Sequence, residues 1–402
     1  MSKKKNKDSK LQGVSRLVTD ATIGITDLVE SMHNRIVHPP FLPSTPIQHL
    51  ITNIAGIAYT SVRWSTKLIG GGVDKALGLF ASVSGEIKTT NEKEAIHSVL
   101  NGVIGDYLEK TENPLEIKMQ FRFQAKAITL DTESIEKTYP TINGKIILMV
   151  HGSCMNDIQW TRKEHNHGTA LAKEFDRTPI YLHYNSGRHI STNGQNLNEL
   201  LEKLISEWPV PIEELIIIAH SMGGLVTRSA LHYGQQQQNS WTKHLKKIVF
   251  LGTPHHGASM EQAGNYLDVV LEAVPYARPF ARLGKIRSAG VTDLRYGSLL
   301  DEDWQNIDRF KMNGDQRQNV SLPENVQCYS IAGVNGKANT SLTAQLLGDN
   351  MVGIKSALGQ HENSTKDLKF KEAHTWIAYE NNHLDLLSNP KVYNKIKSWI
   401  LL

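Results

Sequence analysis

Leu215-Ile216-Ile217-Ile218-Ala219-His220-Ser221-Met222-Gly223-Gly224 is the stretch whose reading decides the fold. An unbroken, isoleucine-rich apolar run stops at a serine set between small residues. This is the pattern of a buried strand feeding a sharp strand-to-helix turn, where the positions two before and two after the serine must be small, here Ala219 and Gly223. Glycine is the commoner residue where Ala219 stands. Alone the pattern is weak, since a chain of this length holds on the order of 0.3 such matches by chance. Its context adds weight, because a helix-compatible segment, Gly224 to Tyr233, follows.

The same signals recur on both sides of that stretch. Met119 to Leu130 alternates in the manner of a strand, and Asn143-Gly144 marks a turn before Lys145-Ile146-Ile147-Leu148-Met149-Val150, which runs straight into His151-Gly152-Ser153. A helix over His167 to Phe175 and a strand over Pro179 to Tyr184 follow, the strand ending at Asn185-Ser186-Gly187. Leu197, Leu200, Leu201 and Leu204 mark a helix that leads to Trp208-Pro209 and the central strand. Lys247 to Leu251 reads as another buried strand, ending at Gly252-Thr253-Pro254-His255-His256-Gly257. Strands alternating with helices at this spacing predict an α/β fold with a mainly parallel, doubly wound sheet. The loops at 151–157, 185–194, 219–223 and 252–257 fall at the carboxyl ends of strands, where ligand sites lie in such sheets. Residues 258–322 interrupt the alternation with an apolar segment, Tyr266 to Val274, two prolines, Pro275 and Pro279, and a polar stretch. The alternation resumes at Val326 to Val334, passes Leu347-Gly348-Asp349, and ends with His383 and a terminal helix from Pro390 to Leu402.

Residues 1–10 form a lysine-rich leader with too little apolar surface to fold. Leu11, Val14, Val18, Ile25, Leu28, Val29, Met32 and Ile36 then recur at helical spacing until His38-Pro39-Pro40. After a proline-rich linker to Pro46, a second amphipathic segment carries Leu50, Ile51, Ile54, Ala58 and Val62 on one face as far as Gly70-Gly71-Gly72. Shorter helices are expected over Asp74 to Ser82 and Glu92 to Tyr107. The expected organisation is therefore a disordered basic leader (1–10), an N-terminal helical extension (11–112) and one large domain (113–402) with the insertion 258–322.

The chain has 402 residues, 40% of them hydrophobic and 21% charged, the composition of a soluble globular protein. The net charge of +4 resides in the leader, whose five lysines and one aspartate leave 39 basic and 39 acidic residues elsewhere. That balance argues against nucleic-acid binding, which spreads basic surface over the folded domain. Cys154 and Cys328 have no metal-ligand spacing and read as reduced thiols of a cytosolic protein. The basic N-terminus is not followed by the apolar core of a signal peptide, and no uncharged apolar run of ~18 residues marks a spanning helix. The expected location is cytoplasmic or peripheral at a membrane.

A serine hydroxyl attacks a carbonyl only if a base takes its proton, and the base works best when a carboxylate fixes its tautomer. For Ser221 the base is expected to be His383, in Asn381-Asn382-His383-Leu384-Asp385, with His374 the competitor. Asp349 lies between serine and histidine in chain order, in a turn-prone Gly348-Asp349-Asn350 setting that equally suits a simple capping aspartate. Asp385 is the main alternative acid, and it also reads as a group that orients the histidine loop or binds a metal. The amides of Met222 and Ser153 are the expected oxyanion-hole donors. His151 reads as a buried hydrogen-bonding residue beneath the serine turn. The pair His255-His256 lacks a third metal ligand at suitable spacing.

Together, the segments Val150 to Asp157, Ala219 to Gly224, Gly252 to Gly257, Leu347-Gly348-Asp349 and Asn382 to Leu387 resemble those of lipase-like α/β-hydrolases. The nearest groups are bacterial proteins similar to the GPI-inositol deacylase family and, more distantly, bacterial triacylglycerol lipases. The likeness runs from about residue 140 to the end and extends, less specifically, to the helices at 11–108. It implies an α/β-hydrolase fold with Ser221 as nucleophile, Asp349 as acid and His383 as base. It also makes Asp385 a candidate calcium ligand, since bacterial lipases carry a calcium-binding aspartate two residues after the catalytic histidine. Ser153, in place of an apolar residue after His-Gly, and Ala219 depart from the pattern without removing a backbone donor.

These readings converge on a serine esterase without a cofactor, acting on an ester with an apolar acyl part. The insertion 258–322 would serve as a lid or cap over that acyl chain, or be a plain helical excursion. The basic leader and amphipathic helices would meet an anionic membrane surface, each lysine near the headgroups contributing about 1 kcal/mol. The alternatives are an acyltransferase using the same triad and a non-catalytic, membrane-associated interaction module.

Overall fold

A computed structural model describes residues 90–258, 288–307, 314–337 and 348–402. The basic leader, most of the helical extension and the middle of the 258–322 insertion lie outside the described residues. The chain partitions into two units, Met1–Thr89 with Thr111–Leu115, and Thr90–Lys110 with Glu116–Leu402. Everything that follows belongs to the second, including the helix α1 (Thr90–Lys110), which covers the segment expected to be helical from Glu92.

Among the described residues, eight strands form one sheet: β1 (Gln120–Phe123), β2 (Lys126–Ala127), β3 (Lys145–Val150), β4 (Thr178–His183), β5 (Glu214–His220), β6 (Leu245–Leu251), β7 (Gln327–Val334) and β8 (Thr375–Tyr379). Their order across the sheet is β2-β1-β4-β3-β5-β6-β7-β8. β1 is antiparallel to both of its neighbours, and every pair from β4 to β8 is parallel. The continuous apolar runs of β3, β5, β6 and β7 suit this position, because a central parallel strand is covered on both faces and has no polar side to show. From β3 the chain moves outward to β4, then crosses back to place β5 on the other side of β3. The order therefore reverses between β3 and β5, and the crevice for a ligand opens at the carboxyl ends of those two strands. This is the α/β-hydrolase fold expected from the sequence.

The helices between the strands are α2 (Thr132–Thr138), α3 (His167–Glu174), α4 (Ile190–Glu207), α5 (Met222–Gln236), α6 (Trp241–His244), α7 (Ala289–Asp293), α8 (Ile354–Ala357) and α9 (Pro390–Ile400). Several carry their start signals openly. Asp131 accepts from the Ser134 amide at 2.8 Å, Asn166 from that of Thr169 at 3.1 Å, and Asn389 precedes Pro390 at the first turn of α9. One face of the sheet, through Ile147, Met149, Ile216, Ile218, Val249 and Leu251, packs with Leu171 of α3 and with Val392, Ile396 and Trp399 of α9. Lys247 of β6 donates to the carbonyls of Trp399 and Ile400, 3.2 and 2.8 Å away, and so caps the end of α9. α5 packs on β5, β3 and the facing helix α4, whose Leu197, Leu201 and Leu204 are buried at helical spacing.

Two elements depart from the expectation. Residues 119–130 form a hairpin rather than one strand, because Gln124 and Ala125 both take positive φ, 50° and 62°, and turn the chain between β1 and β2. β8 has no strong apolar signature because it is an edge strand whose residues, Ala378 apart, are half-buried. Among the described residues no helix is long and apolar enough to cross a membrane.

Ile217 sits at the middle of β5, paired with Leu148 and Ile248 and fully buried. Ile217→Ala is expected to cost about 2–5 kcal/mol of stability, read as a lower urea midpoint at unchanged slope.

Candidate active site

The site is built on the carboxyl ends of neighbouring strands. Ser221 follows β5 with φ 54° and ψ −125°, a conformation that costs an ordinary residue of order 1–3 kcal/mol and persists only where its surroundings enforce it. Here they do. The Ser221 amide donates to the carbonyl of Leu251 at 2.8 Å, holding the turn against the end of β6. Gly223 lies so close to the end of β3 that a Cβ there would stand 2.5 Å from the carbonyl oxygens of Val150 and His151. No other residue allows α5 to start at that place. Met222, the first residue of α5, carries one of the amides that a helix leaves without an internal acceptor.

The loop after β3 lies beside this turn, since Val150 pairs with Ala219. His151 is wholly buried, its Nδ1 donating to the Gly152 carbonyl at 2.8 Å and its ring stacked 4.4 Å from that of Tyr184. Burial pushes its pKa down to about 4, so it is neutral, as a supporting residue should be. The Tyr184 hydroxyl donates to the His151 carbonyl at 2.9 Å, and the Cys154 amide donates to Ser186 Oγ at 2.9 Å. Further along, the Arg122 guanidinium joins Asp157 (3.1 Å) and Glu94 (3.0 Å), tying the loop to β1 and α1. Burial raises the Asp157 pKa against the pull of Arg122. Ser153, whose amide is the other expected oxyanion donor, is buried in the middle of this braced loop. The Cys154 thiol, pushed up to about 11 by burial, is an inert neighbour.

Asp349 and His383 meet at the ends of β7 and β8. Asp349 Oδ1 accepts from the amides of Met351 (3.0 Å) and Val352 (2.9 Å), which leaves Oδ2 to accept from His383 Nδ1 at 2.6 Å. Both side chains are buried. With its Nδ1 donating to a carboxylate, the imidazole carries its lone pair on Nε2, an atom without a hydrogen-bond partner among the described residues. Gly252, at φ +58° beyond β6, leaves space for that ring: a Cβ there would stand 3.0 Å from its Cε1 and Nδ1. His220 supports the histidine from below, its Nε2 donating to the His383 carbonyl at 3.1 Å with the two rings 4.6 Å apart. Burial, followed by the neighbouring His383, holds the His220 pKa well below its usual value.

Of the alternatives, Asp385 does not reach the imidazole. It accepts from Lys163 at 3.0 Å and from the Asn382 amide at 3.3 Å, so it orients the histidine turn. Among the described residues no three His, Cys, Asp or Glu side chains gather as a metal site, at Asp385 or at His255-His256. His374 lies before β8, at the opposite end of the sheet, bonded to the Cys328 carbonyl at 3.1 Å. Sequence reasoning overlooked the supports: His220, Tyr184, Ser186 and the Arg122–Asp157 pair. His220 stood next to the serine and was the one detectable hint; the others come from strands whose partners only folding assigns.

Residues 141–330 match the family model described as the PGAP1-like alpha/beta domain. No curated protein matches the chain significantly. Among solved structures, the mature Bacillus licheniformis lipase BlEst2 is 14% identical, with 65% of this chain and 94% of that chain covered at a TM-score of 0.40. The Pyrococcus furiosus esterase Pf2001 is 11% identical, covering 64% of this chain and 81% of its own at 0.38. A Pyrobaculum calidifontis esterase is 12% identical, covering 65% and 78% at 0.39. The fold assignment itself rests on the sheet order, the strained serine turn and the family match.

A pH dependence of stability follows from the buried histidines. His167 Nε2 donates to the Leu386 carbonyl at 3.0 Å, and burial pushes its pKa, like that of His151, down to about 4 from 6.5. Between these values the unfolded chain binds protons that the folded chain refuses. Stability is thus fully present above about pH 6.5 and falls as the pH drops toward 4, by up to about 3 kcal/mol per histidine. Urea midpoints at pH 7.5 and 4.5 measure the loss, and His167→Gln should reduce it.

By its sheet order and its serine turn the chain has the α/β-hydrolase fold, and its residues 141–330 resemble the PGAP1-like alpha/beta domain.

Proposed function

We propose that this protein is a serine hydrolase of carboxylic esters. The observation that carries the reading is the buried 2.6 Å hydrogen bond from His383 Nδ1 to Asp349 Oδ2, beside a serine in the strained turn after β5. A carboxylate fixed by two amides sets the imidazole tautomer and stabilises its charged form, leaving Nε2 as the base. In this mechanism His383 takes the Ser221 proton as Oγ attacks the ester carbonyl. The amides of Met222 and Ser153 hold the oxyanion, and the proton passes from Nε2 to the departing alcohol. Water, deprotonated by the same nitrogen, then attacks the acyl-enzyme, and the acid leaves with Ser221 restored. No cofactor enters these steps.

The substrate in this reading has an apolar acyl part, which the insertion 258–322 covers, and the basic leader and N-terminal helices bring the enzyme from the cytoplasm to an anionic membrane surface. The support for both is the sequence pattern of those segments.

A fluorophosphonate probe should label the purified chain and leave Ser221→Ala unlabelled; equal labelling of the two would remove the claim. Asp349→Asn, which puts the imidazole in the wrong tautomer, should lower kcat by about 10⁴ while the fold is kept. Chromogenic esters of rising acyl length should be cleaved best beyond acetyl, and a preference for acetyl would count against the acyl chain. Deletion of residues 1–45 should weaken co-sedimentation with anionic liposomes, and unchanged sedimentation would dismiss the membrane step.

A further inference from the structure

Every residue of α1 from Ser98 to Gly105 is buried, and the helix kinks at Ile104 (φ −134°, ψ 24°), between two of its glycines. Those glycines meet two loops at the carboxyl ends of the central strands. A Cβ on Gly102 would stand 2.2 Å from Cys154 Sγ, 2.9 Å from its Cα and 3.0 Å from its Cβ, in the loop after β3. A Cβ on Gly105 would stand 1.8 Å from Asn185 Oδ1, in the loop after β4, and Asn185 Nδ2 donates to the Gly105 carbonyl at 2.9 Å. Two further bonds fasten the same helix. Asn156 Nδ2 donates to Ser98 Oγ at 3.2 Å, and Ser288 Oγ to the Gly102 carbonyl at 2.6 Å. Although α1 precedes the sheet in chain order, it therefore lies against the loop that carries the Ser153 amide.

Ser153 sits between two fixed points of that loop. On one side Gly152 lies against the serine turn, where a Cβ would stand 3.1 Å from Ser221 Cβ. On the other, Cys154 takes φ 59°, a left-handed conformation that is disfavoured for a residue with a Cβ and persists only where its surroundings hold it. Two contacts hold it. The Cys154 amide donates to Ser186 Oγ at 2.9 Å, and its side chain and Cα lie against Gly102. The second contact needs the helix backbone itself at packing distance, which only glycine at position 102 permits.

We propose that Gly102 is a positioning residue of the active site: by letting α1 close onto Cys154, it sets the place of the Ser153 amide as an oxyanion donor. A methyl group at position 102 has to push Cys154 away. Rotation of the thiol does not relieve the crowding, because the Cα and Cβ of Cys154 are also within 3.0 Å of the added atom. Oxyanion donors act through their exact place, and a misplacement of about 1 Å can cost on the order of 10²-fold in rate. The proposal rests on the serine-hydrolase reading and assigns part of its apparatus to a helix that makes no contact with substrate.

Turnover of p-nitrophenyl butyrate and of its thiono analogue, which has sulfur for the carbonyl oxygen, tests this in the full chain. Sulfur accepts hydrogen bonds weakly, so a misplaced donor penalises the oxygen ester and largely spares the thionoester. Gly102→Ala should lower kcat on the oxygen ester about 10- to 10²-fold at nearly unchanged KM, and several-fold less on the thionoester. Adding Cys154→Gly, which removes the crowded Sγ and Cβ and suits the positive φ, should restore turnover several-fold. Gly144→Ala, equally crowded at the opposite end of β3 (2.3 Å from the Pro211 carbonyl oxygen), should lower the urea midpoint and keep kcat. Should Gly102→Ala fail to fold, Ser98→Ala, which crowds nothing and releases Asn156 from α1, should show the same ester-selective loss at a few-fold. Four results would overturn the proposal: equal loss on both substrates, unchanged kcat in folded Gly102→Ala or Ser98→Ala, no recovery in the double variant, or the same loss in Gly144→Ala. Turnover by the parent and labelling of its Ser221 would leave the hydrolase reading standing in each case. A parent that cleaves no ester and takes no fluorophosphonate would overturn both.

Discussion

The approach of α5 to the end of β3 is the constraint on which the rest depends. Gly223 has two main-chain oxygens where any other residue would need a Cβ, and only that contact lets the helix begin directly after a serine at φ 54°. The strain is held on both sides: by the ladder of β5 with its neighbours, and by the Ser221 amide bonded to Leu251. The stiff, fully buried strands β3, β5 and β6 give the turn a base that does not yield.

Around that turn, each catalytic candidate is presented by the end of a different strand and braced by groups that do no chemistry. His383 is placed by Asp349 at its ring, by His220 at its carbonyl, and by the space that Gly252 leaves. The loop after β3, which carries the Ser153 amide, is braced by Tyr184, Ser186 and the Arg122–Asp157 pair. A serine hydrolase needs donors and base fixed before the substrate arrives, because reorganisation at the moment of reaction would consume the gain they provide. This site has that property: its supports are buried and its spare histidines, His151 and His220, are kept neutral by burial.

The legibility of these parts followed from how local their causes are. β3, β5, β6 and β7 could be read because burial on both faces leaves continuous apolar runs, and the helix starts because capping residues act within three positions. β8 and the β1–β2 hairpin could not, since an edge strand is half-exposed and two positive φ angles at Gln124 and Ala125 leave no composition signal. The order of Ser221, Asp349 and His383 was visible and favoured Asp349 over Asp385, but the contact behind that choice was not. It turns on which carboxylate lies within hydrogen-bond distance of Nδ1, and Asp385 is drawn instead to Lys163 and the Asn382 amide.

The amino-acid sequence by itself determined the class of fold, the serine turn and the types of residue able to do the chemistry, because strand burial, capping and small-residue turns are written in neighbouring positions. The tertiary structure alone decided the partners: the contact between Asp349 and His383, and the groups that brace the loop after β3. Those pairings join residues tens of positions apart, and their strength depends on distance and burial, which only the assembled sheet and its helices set.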